Sequence, residues 1–280
     1  MKRRVGRVIS VSALILSAIS LVAACGSSGG DDGPGDGDGD GICEPGHAYC
    51  GGPDESEVWE CNADGTGGKF VEDCPADLAC SYGACVTACE KAANDPSNVG
   101  CEFWAVDLDN EAFDTEFGVS NDAAAQQFAI GVANENDAPV EVTVWKNTAR
   151  FGDPIAEEVV TTVTVPANDM VRIDLPQREV DGTMGQNGNY VRYSGSGTFV
   201  SSHAYRILST GPVVAYQFNP IVQQFSNDAS VLIPVQALGS DYYVIGWPTA
   251  NPCGPPSGPL HMESVPDHTA VTVVGVMPDT

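Results

Sequence analysis

Apolar and polar residues alternate in two stretches of the second half of the chain. Valine occupies every second position of residues 140–144, and the odd positions of residues 159–165 hold three valines and one threonine. A period of two places one side of a strand against a core and the other side in water. The turn-like sequence PANDM at residues 166–170 then separates the second stretch from the next one. These patterns predict consecutive antiparallel strands.

Segments rich in Val, Ile, Tyr and Thr recur between turn signals throughout the chain after Cys101. They predict strands at residues 103–107, 127–133, 140–146, 157–165, 170–174, 197–203, 205–209, 213–219, 230–234, 242–246 and 270–276. We find no helical periodicity of useful length. The fold class that we predict for residues 101–280 is all-β, an antiparallel β-sandwich-type domain. A propeller is the alternative, but the sequence shows no fixed repeat period.

The N-terminus has the pattern of an export signal. Four basic residues in the first seven precede an apolar run at residues 8–22, which is too short and wrongly flanked for a membrane span. The run ends in LVAAC, which resembles the lipobox of bacterial lipoproteins, where lipid is attached to the cysteine. The resemblance implies a signal peptide at residues 1–24, lipid on Cys25 and attachment to a membrane. An ordinary signal peptide cleaved nearby, with Cys25 later oxidised, is the alternative.

Residues 25–41 are predicted to be a disordered tether after the lipidated cysteine. Residues 26–41 comprise eight Gly, five Asp, two Ser and one Pro, a composition that cannot bury a core. By resemblance to sorting in other bacteria, Gly26 after the cysteine favours the outer membrane or the cell surface. Four of the twelve Lys and Arg lie in the signal, so eight remain against 38 Asp and Glu, a formal charge of −30. Such a surface repels nucleic acid, which we exclude as a partner.

Residues 42–100 are predicted to form a small disulfide-rich module. Dense, even-numbered cysteines in an exported segment indicate a disulfide framework. Zinc is the alternative, but no Cys-x2-Cys pair occurs. The eight cysteines that we expect to pair among themselves are Cys43, Cys50, Cys61, Cys74, Cys80, Cys85, Cys89 and Cys101. Cys253 lies far from them, which suggests either a chain that is a fragment or a free or intermolecular thiol.

The connectivity does not follow from the spacing, because eight cysteines allow 105 pairings. The first six resemble growth-factor-like modules, whose nested order implies the pairs Cys43–Cys61, Cys50–Cys74 and Cys80–Cys85. Cys89 would then pair with Cys101 across a loop that begins with a short helix at residues 90–93. A hairpin loop is expected at residues 62–68, flanked by Trp59 and Phe70 in a small core.

Several separated motifs of residues 100–280 resemble one known family. Residues 100–110 (GCEFWAVDLDN), 212–220 (PVVAYQFNP), 226–230 (SNDAS) and 241–248 (DYY leading to WP) are similar to signatures of the IgGFc-binding protein N-terminal domain of bacterial lipoproteins. The cysteine-rich segment resembles modules that accompany this domain in myxobacterial surface proteins. The resemblance implies a surface-binding domain and supplies no catalytic residues. It also implies a longer chain than this one.

No catalytic motif is specific enough to indicate an enzyme, and we predict neither catalytic residues nor a cofactor. Asp107 and Asp109 stand two apart on a predicted strand and therefore point to the same face. They could bind calcium, but such a pair more often ends a strand and bonds turn amides. His261, Glu263 and His268 lie in a Pro-rich loop, where they could form a metal site, but we interpret them as solvated residues.

The predicted architecture favours a membrane-anchored, non-enzymatic lipoprotein that binds an extracellular protein or glycan, or acts in adhesion. Rigid sheets present loops well for recognition. The aromatic residues considered for such contacts are Tyr190, Tyr193, Tyr216, Phe218, Tyr242, Tyr243 and Trp247. An extracellular carbohydrate-active hydrolase using a carboxylate pair is one alternative. A structural or truncated envelope protein without its own activity is another.

Overall fold

The structure is a computed structural model that describes residues 42–52, 54–108, 112–114, 120–122, 126–150, 152–180, 200–221, 228–246 and 271–277. The predicted signal peptide, Cys25, the tether and Cys253 lie outside these residues. Within the described ranges, no helix combines the length and the apolar character that crossing a bilayer requires.

The cysteine-rich module is built from short strands and one helix. Its elements are β1 (Ala48–Gly51), β2 (Glu57–Cys61), β3 (Gly68–Asp73), β4 (Ala79–Ser81), β5 (Ala84–Val86) and α1 (Ala88–Asn94). The first three strands form an antiparallel sheet in the order β1-β2-β3, and β4 pairs with β5 as a hairpin. The predicted loop joins β2 to β3, with Gly65 at φ 71°. The rings of Trp59 and Phe70 meet edge to face at 5.8 Å, but Phe70 is 43% exposed, so the pair does not form the small core that the sequence predicted.

Four disulfides link the module: Cys43–Cys61, Cys50–Cys80, Cys74–Cys85 and Cys89–Cys101. The first and last pairs confirm the prediction. The predicted Cys50–Cys74 and Cys80–Cys85 pairs are wrong, because the β4–β5 hairpin packs on β1 and brings Cys80 to Cys50. Gly83 at the hairpin turn permits this approach, since a Cβ there would lie 2.3 Å from the Ala48 carbonyl carbon.

Helix α1 begins with a capping box. The Thr87 hydroxyl accepts a hydrogen bond from the Glu90 amide at 3.2 Å, and the Glu90 carboxylate accepts one from the Thr87 amide at 2.8 Å. These bonds satisfy amides that have no partner within the helix. The helix predicted at residues 90–93 is therefore confirmed and extended at both ends.

The second part of the chain is all-β. Its strands are β6 (Val99–Val106), β7 (Ala112–Asp114), β8 (Ser120–Asp122), β9 (Ala129–Asn134), β10 (Val140–Asn147), β11 (Glu157–Val165), β12 (Asp169–Asp174), β13 (Ala204–Asn219) and β14 (Asp228–Val231). β7 and β8 pair with each other, and the other seven form one antiparallel sheet. The predicted class, a disulfide-rich module followed by an antiparallel sandwich-type domain, is confirmed.

The central strand is β13, and its length curls the sheet. Its first half pairs with β10 on one edge and its second half with β9 on the same edge, while β6 and then β14 occupy the opposite edge. The pairing with β6 shifts register between Leu208 and Val213. The two strands predicted at residues 205–209 and 213–219 are therefore one strand. The curl lets the two halves of the sheet enclose a single core.

The core follows the predicted alternation with one exception. Its largest members come from both halves of the sheet: Phe103, Phe128, Ile130, Val132, Val142, Val144, Val165, Leu175, Tyr205 and Ile207. A bulge in the β10–β11 pairing leaves Val160 without an opposite residue and pairs Val159 with Trp145. Val159 consequently faces outwards and is exposed, although the alternation placed it with Val165.

Three predicted strands are not strands in the part of the chain that the structure describes. Residues 200–203 contact loop carbonyls through their side chains instead of joining a ladder. Residues 241–246 and 271–276 run without helix, turn, bend or strand pairing. Their β-propensity therefore has no neighbouring strand to act on.

Candidate functional site

A buried polar cluster lies where β6 ends. Asp107 is 1% exposed, and its carboxylate accepts a 2.8 Å hydrogen bond from the Arg178 amide. Its carbonyl accepts a 2.9 Å bond from the Val180 amide, and it forms a parallel bridge with Glu179, which is also 1% exposed. Burial raises the pKa of Asp107 to about 7, and the Arg178 amide opposes this rise. Two buried acidic residues from distant segments are thus paired through their backbones inside the protein.

Arg178 is held by carbonyl groups. Its Nη2 donates to the carbonyls of Asn147 and of Ser202, the latter at 3.1 Å. Among the described residues, its buried Nη1 finds no hydrogen-bond partner. Burial lowers the pKa of the guanidinium, although the charge of Glu158 favours the protonated form. The side chain therefore joins the end of β10 to the segment before β13.

Short side chains fasten the segment that leads into β13. The hydroxyls of Ser201 and Ser202 donate to the carbonyls of Val180 and Ala149 at 2.6 and 2.7 Å. His203 Nδ1 lies 2.7 Å from the carbonyl oxygen of Glu179. These contacts replace the ladder bonds predicted here.

Tyr205, the next inward-facing residue of β13, contacts the chain just before Arg178. Its hydroxyl donates a 2.5 Å bond to the carbonyl of Pro176, and burial raises the pKa of the phenol. The joint made by these contacts is a structural support for three chain segments.

The cluster offers little access for a substrate or a metal ion. Asp107 and Glu179 are each 1% exposed, so a polysaccharide cannot contact either carboxylate in this conformation. Asp109, the other predicted calcium ligand, lies outside the described residues. The described residues contain no group of three or more His, Cys, Asp or Glu placed to hold a metal. Asp107 instead bonds loop amides, the alternative that the sequence offered.

A second candidate is the segment of residues 241–246, which we call the DYYVIG segment. Tyr242, Tyr243, Val244 and Ile245 are 64%, 98%, 65% and 93% exposed. Four consecutive large apolar or aromatic side chains in water are an unfavourable arrangement for an isolated protein, because each would gain free energy on burial. The segment is therefore a candidate contact surface.

The backbone of the DYYVIG segment has few contacts with the rest of the described residues. The described residues form no backbone hydrogen bond with it, and its one polar contact is the 3.1 Å bond from the Ser240 hydroxyl to Asp241. The absence of turns and bends means that the chain follows an open path here. Within the described residues, its amides and carbonyls thus have no backbone partner.

Exposed apolar residues concentrate in the same region of the sequence. Among the described residues, nine of seventeen exposed large hydrophobic residues lie between residues 231 and 277: Val231, Ile233, Tyr242, Tyr243, Val244, Ile245, Val271, Val273 and Met277. This concentration of exposed hydrophobic side chains distinguishes the C-terminal region from the acidic remainder of the chain.

The structure separates the aromatic residues that the sequence suggested for binding. Tyr242 and Tyr243 are exposed, whereas Tyr216 and Phe218 are half-buried on β13. Tyr190, Tyr193 and Trp247 lie outside the described residues. Sequence reasoning missed Arg178 and Glu179, whose adjacent charges in a predicted loop were the only available signal.

Comparison with known protein families, with curated proteins and with solved structures finds no match to this chain. The resemblance to the IgGFc-binding domain therefore stays a prediction from the sequence motifs.

Proposed function

We propose that the protein is a lipid-anchored, non-enzymatic lipoprotein of the bacterial surface that binds an extracellular protein through its DYYVIG segment. The observation that carries the proposal is the consecutive exposure of Tyr242, Tyr243, Val244 and Ile245. Tyrosine is enriched among the residues that dominate binding energy at protein interfaces. Val244 and Ile245 add aliphatic surface that suits a protein partner better than the hydroxyl groups of a glycan.

The anchor rests on the sequence pattern at the N-terminus. The LVAAC sequence ending at Cys25 and the Gly/Asp-rich residues after it support a lipidated cysteine followed by a flexible spacer. Stable attachment takes more than one acyl chain, so the cysteine must be multiply acylated.

Palmitate labelling in a bacterial host tests the anchor. Wild-type protein is expected to take up label and to sediment with membranes, whereas Cys25→Ser is expected to lose both properties. Label that persists in Cys25→Ser would contradict the anchor.

Protein and glycan arrays probed with the exported chain test the binding function. Tyr243→Ser combined with Ile245→Ser is expected to abolish the protein signals. Tyr82→Ser combined with Ile155→Ser is the matched control, because Tyr82 and Ile155 are 71% and 72% exposed elsewhere. Signals that persist in the first variant, or that appear only on glycans, would contradict the proposal.

A further inference from the structure

Three edge strands of this protein carry charges, whereas the edge strand β1 carries none. β3 is the last strand of its sheet and includes Lys69, Glu72 and Asp73. β11, one end of the seven-stranded order, begins with Glu157 and Glu158. Charged side chains on an edge discourage another strand from adding to it.

β12, the edge strand opposite β11 in the seven-stranded sheet, also carries charges. It contains Asp169, Arg172 and Asp174, and the Arg172 guanidinium pairs with the Asp174 carboxylate at 2.5 Å. Each of these three edges is therefore protected against strand addition.

The DYYVIG segment lacks this protection. Asp241 is its only charged residue, and residues 242–246 form an uncharged run of high β-propensity. Its backbone has no hydrogen bond to the described residues, and the chain passes through it without a bend. At about 3.3 Å per residue, six residues would span about 20 Å if they joined a partner as a strand. The edges formed by β3, β11 and β12 carry charged side chains, whereas residues 242–246 carry none.

We propose that the DYYVIG segment binds its partner by strand addition, and that the partner is an extended strand of another protein with an apolar centre and basic flanks. This inference rests on the proposed function and specifies how the segment acts. Main-chain hydrogen bonds supply affinity in this mode, and pockets for alternate side chains supply specificity.

Charge selects the partner. The chain carries a formal charge of −26, and Asp228 and Asp241 are the only charged residues between 228 and 246. An acidic strand is repelled by the protein as a whole, whereas lysine or arginine at the flanks of a strand is attracted. The same repulsion disfavours a second copy of this chain as the occupant.

Peptide binding tests the chemistry of the partner. The probes are the peptide KVTVTVK and its matched acidic control EVTVTVE, titrated into the exported chain at low ionic strength. We expect KVTVTVK to bind at least tenfold more tightly and to slow amide exchange at residues 242–246 at least tenfold. Equal affinity for both peptides, or protection elsewhere only, would overturn the inference.

A proline scan tests the use of the backbone. Along a strand, alternate amides point towards the neighbour, so only every second position tolerates the loss of its N–H. Proline at residues 242, 243, 244 and 245 is therefore expected to weaken KVTVTVK binding with a period of two. Alanine at the same positions controls for the lost side chains.

The outcomes separate this inference from the proposed function. Binding that is insensitive to proline but lost in Tyr243→Ser, Ile245→Ser would overturn strand addition and leave the proposed function standing. Array binding unaffected by those serine substitutions would contradict the proposed function itself. Sedimentation that shows a dimer, abolished by Tyr243→Ser, Ile245→Ser and not by KVTVTVK, would identify a second copy as the occupant and overturn the inference.

Discussion

The amide of Arg178 donates a 2.8 Å hydrogen bond to the buried carboxylate of Asp107, from which it is separated by 71 residues of chain. The contact closes the end of β6 against a loop that also holds Glu179 and the approach to β13. Because the carboxyl is buried, its proton affinity is coupled to the stability of this joint.

Asp107→Asn is expected to stabilise the protein at neutral and alkaline pH. The pKa of Asp107 rises from 3.8 to about 7 on folding, so the folded state binds the extra proton between these values. The contribution of this group to stability is therefore fully present below pH 4 and falls as the pH rises towards 7. Asparagine keeps the acceptor for Arg178 without the charge. The free energy of unfolding at pH 8 should increase by about 4 kcal/mol relative to wild type.

Urea unfolding of both proteins at pH 5 and pH 8 measures this effect. The variant should exceed wild type in free energy of unfolding by more at pH 8 than at pH 5. Asp153→Asn, at an exposed position, should have the same free energy of unfolding as wild type at both pH values. A variant less stable than wild type at pH 8 would rule out the buried charge as the cause.

Asn134→Asp is expected to be strongly destabilising. Asn134 is 1% exposed, and its Nδ2 lies 2.9–3.2 Å from the carbonyls of Ala138, Val165 and Pro166. A carboxylate there would place an acceptor against three acceptors, which costs about 3 kcal/mol or more. Thermal unfolding checks this, with Asn62→Asp in an exposed loop as the control. Equal melting temperatures for the two variants would refute the role of the amide.

Removing the Cys89–Cys101 disulfide is expected to destabilise the junction between module and sheet. The bond joins residues with a sequence separation of 12. By lowering the chain entropy of the unfolded state, a loop of this length adds about 3 kcal/mol to the free energy of unfolding. Cys89→Ser combined with Cys101→Ser should lower the urea midpoint accordingly. Non-reducing peptide mapping of the variant should still recover Cys50–Cys80 and Cys74–Cys85. Scrambled pairs in that map would show that the module depends on the junction for its connectivity.

Tyr243→Ser combined with Ile245→Ser is expected to leave stability unchanged to within about 0.5 kcal/mol, because exposed side chains contribute little to the native state. The same variant should bind less of a dye that fluoresces on apolar surfaces. Tyr82→Ser combined with Ile155→Ser provides the comparison, since it removes the same two residue types at exposed positions outside the segment. A loss of several degrees in melting temperature would mean that the segment supports the fold.

Local patterns predicted the strands of the seven-stranded sheet, at least in part, but not the β7–β8 pair or the short strands of the cysteine-rich module. The alternation at residues 140–144 matches β10, whose valines are buried against β13. Val159 departs from the pattern because a bulge shifts one residue of β11 to the other face. Bulges depend on how two strands pair, which one strand's sequence does not specify.

Long-range relationships were beyond the reach of sequence patterns. Residues 242–246 have strand propensity but no partner strand among the described residues, and propensity alone does not provide one. The pairs Cys50–Cys80 and Cys74–Cys85 follow from the packing of one hairpin on β1, which spacing does not encode. Asp107 was recognised as a candidate, but its contact with Arg178 required the folded chain to bring the two together.

The Cys89–Cys101 bond has a mechanical consequence. Tension applied at the N-terminal end of the module crosses this covalent bond and enters the sheet at Cys101, the third residue of β6. The residues between the two cysteines carry no load, so α1 is spared from stretching. The sheet then resists through the ladder between β6 and the sixteen-residue β13. The β6–β13 ladder is therefore the first non-covalent pairing of the sheet to be loaded by such a tension.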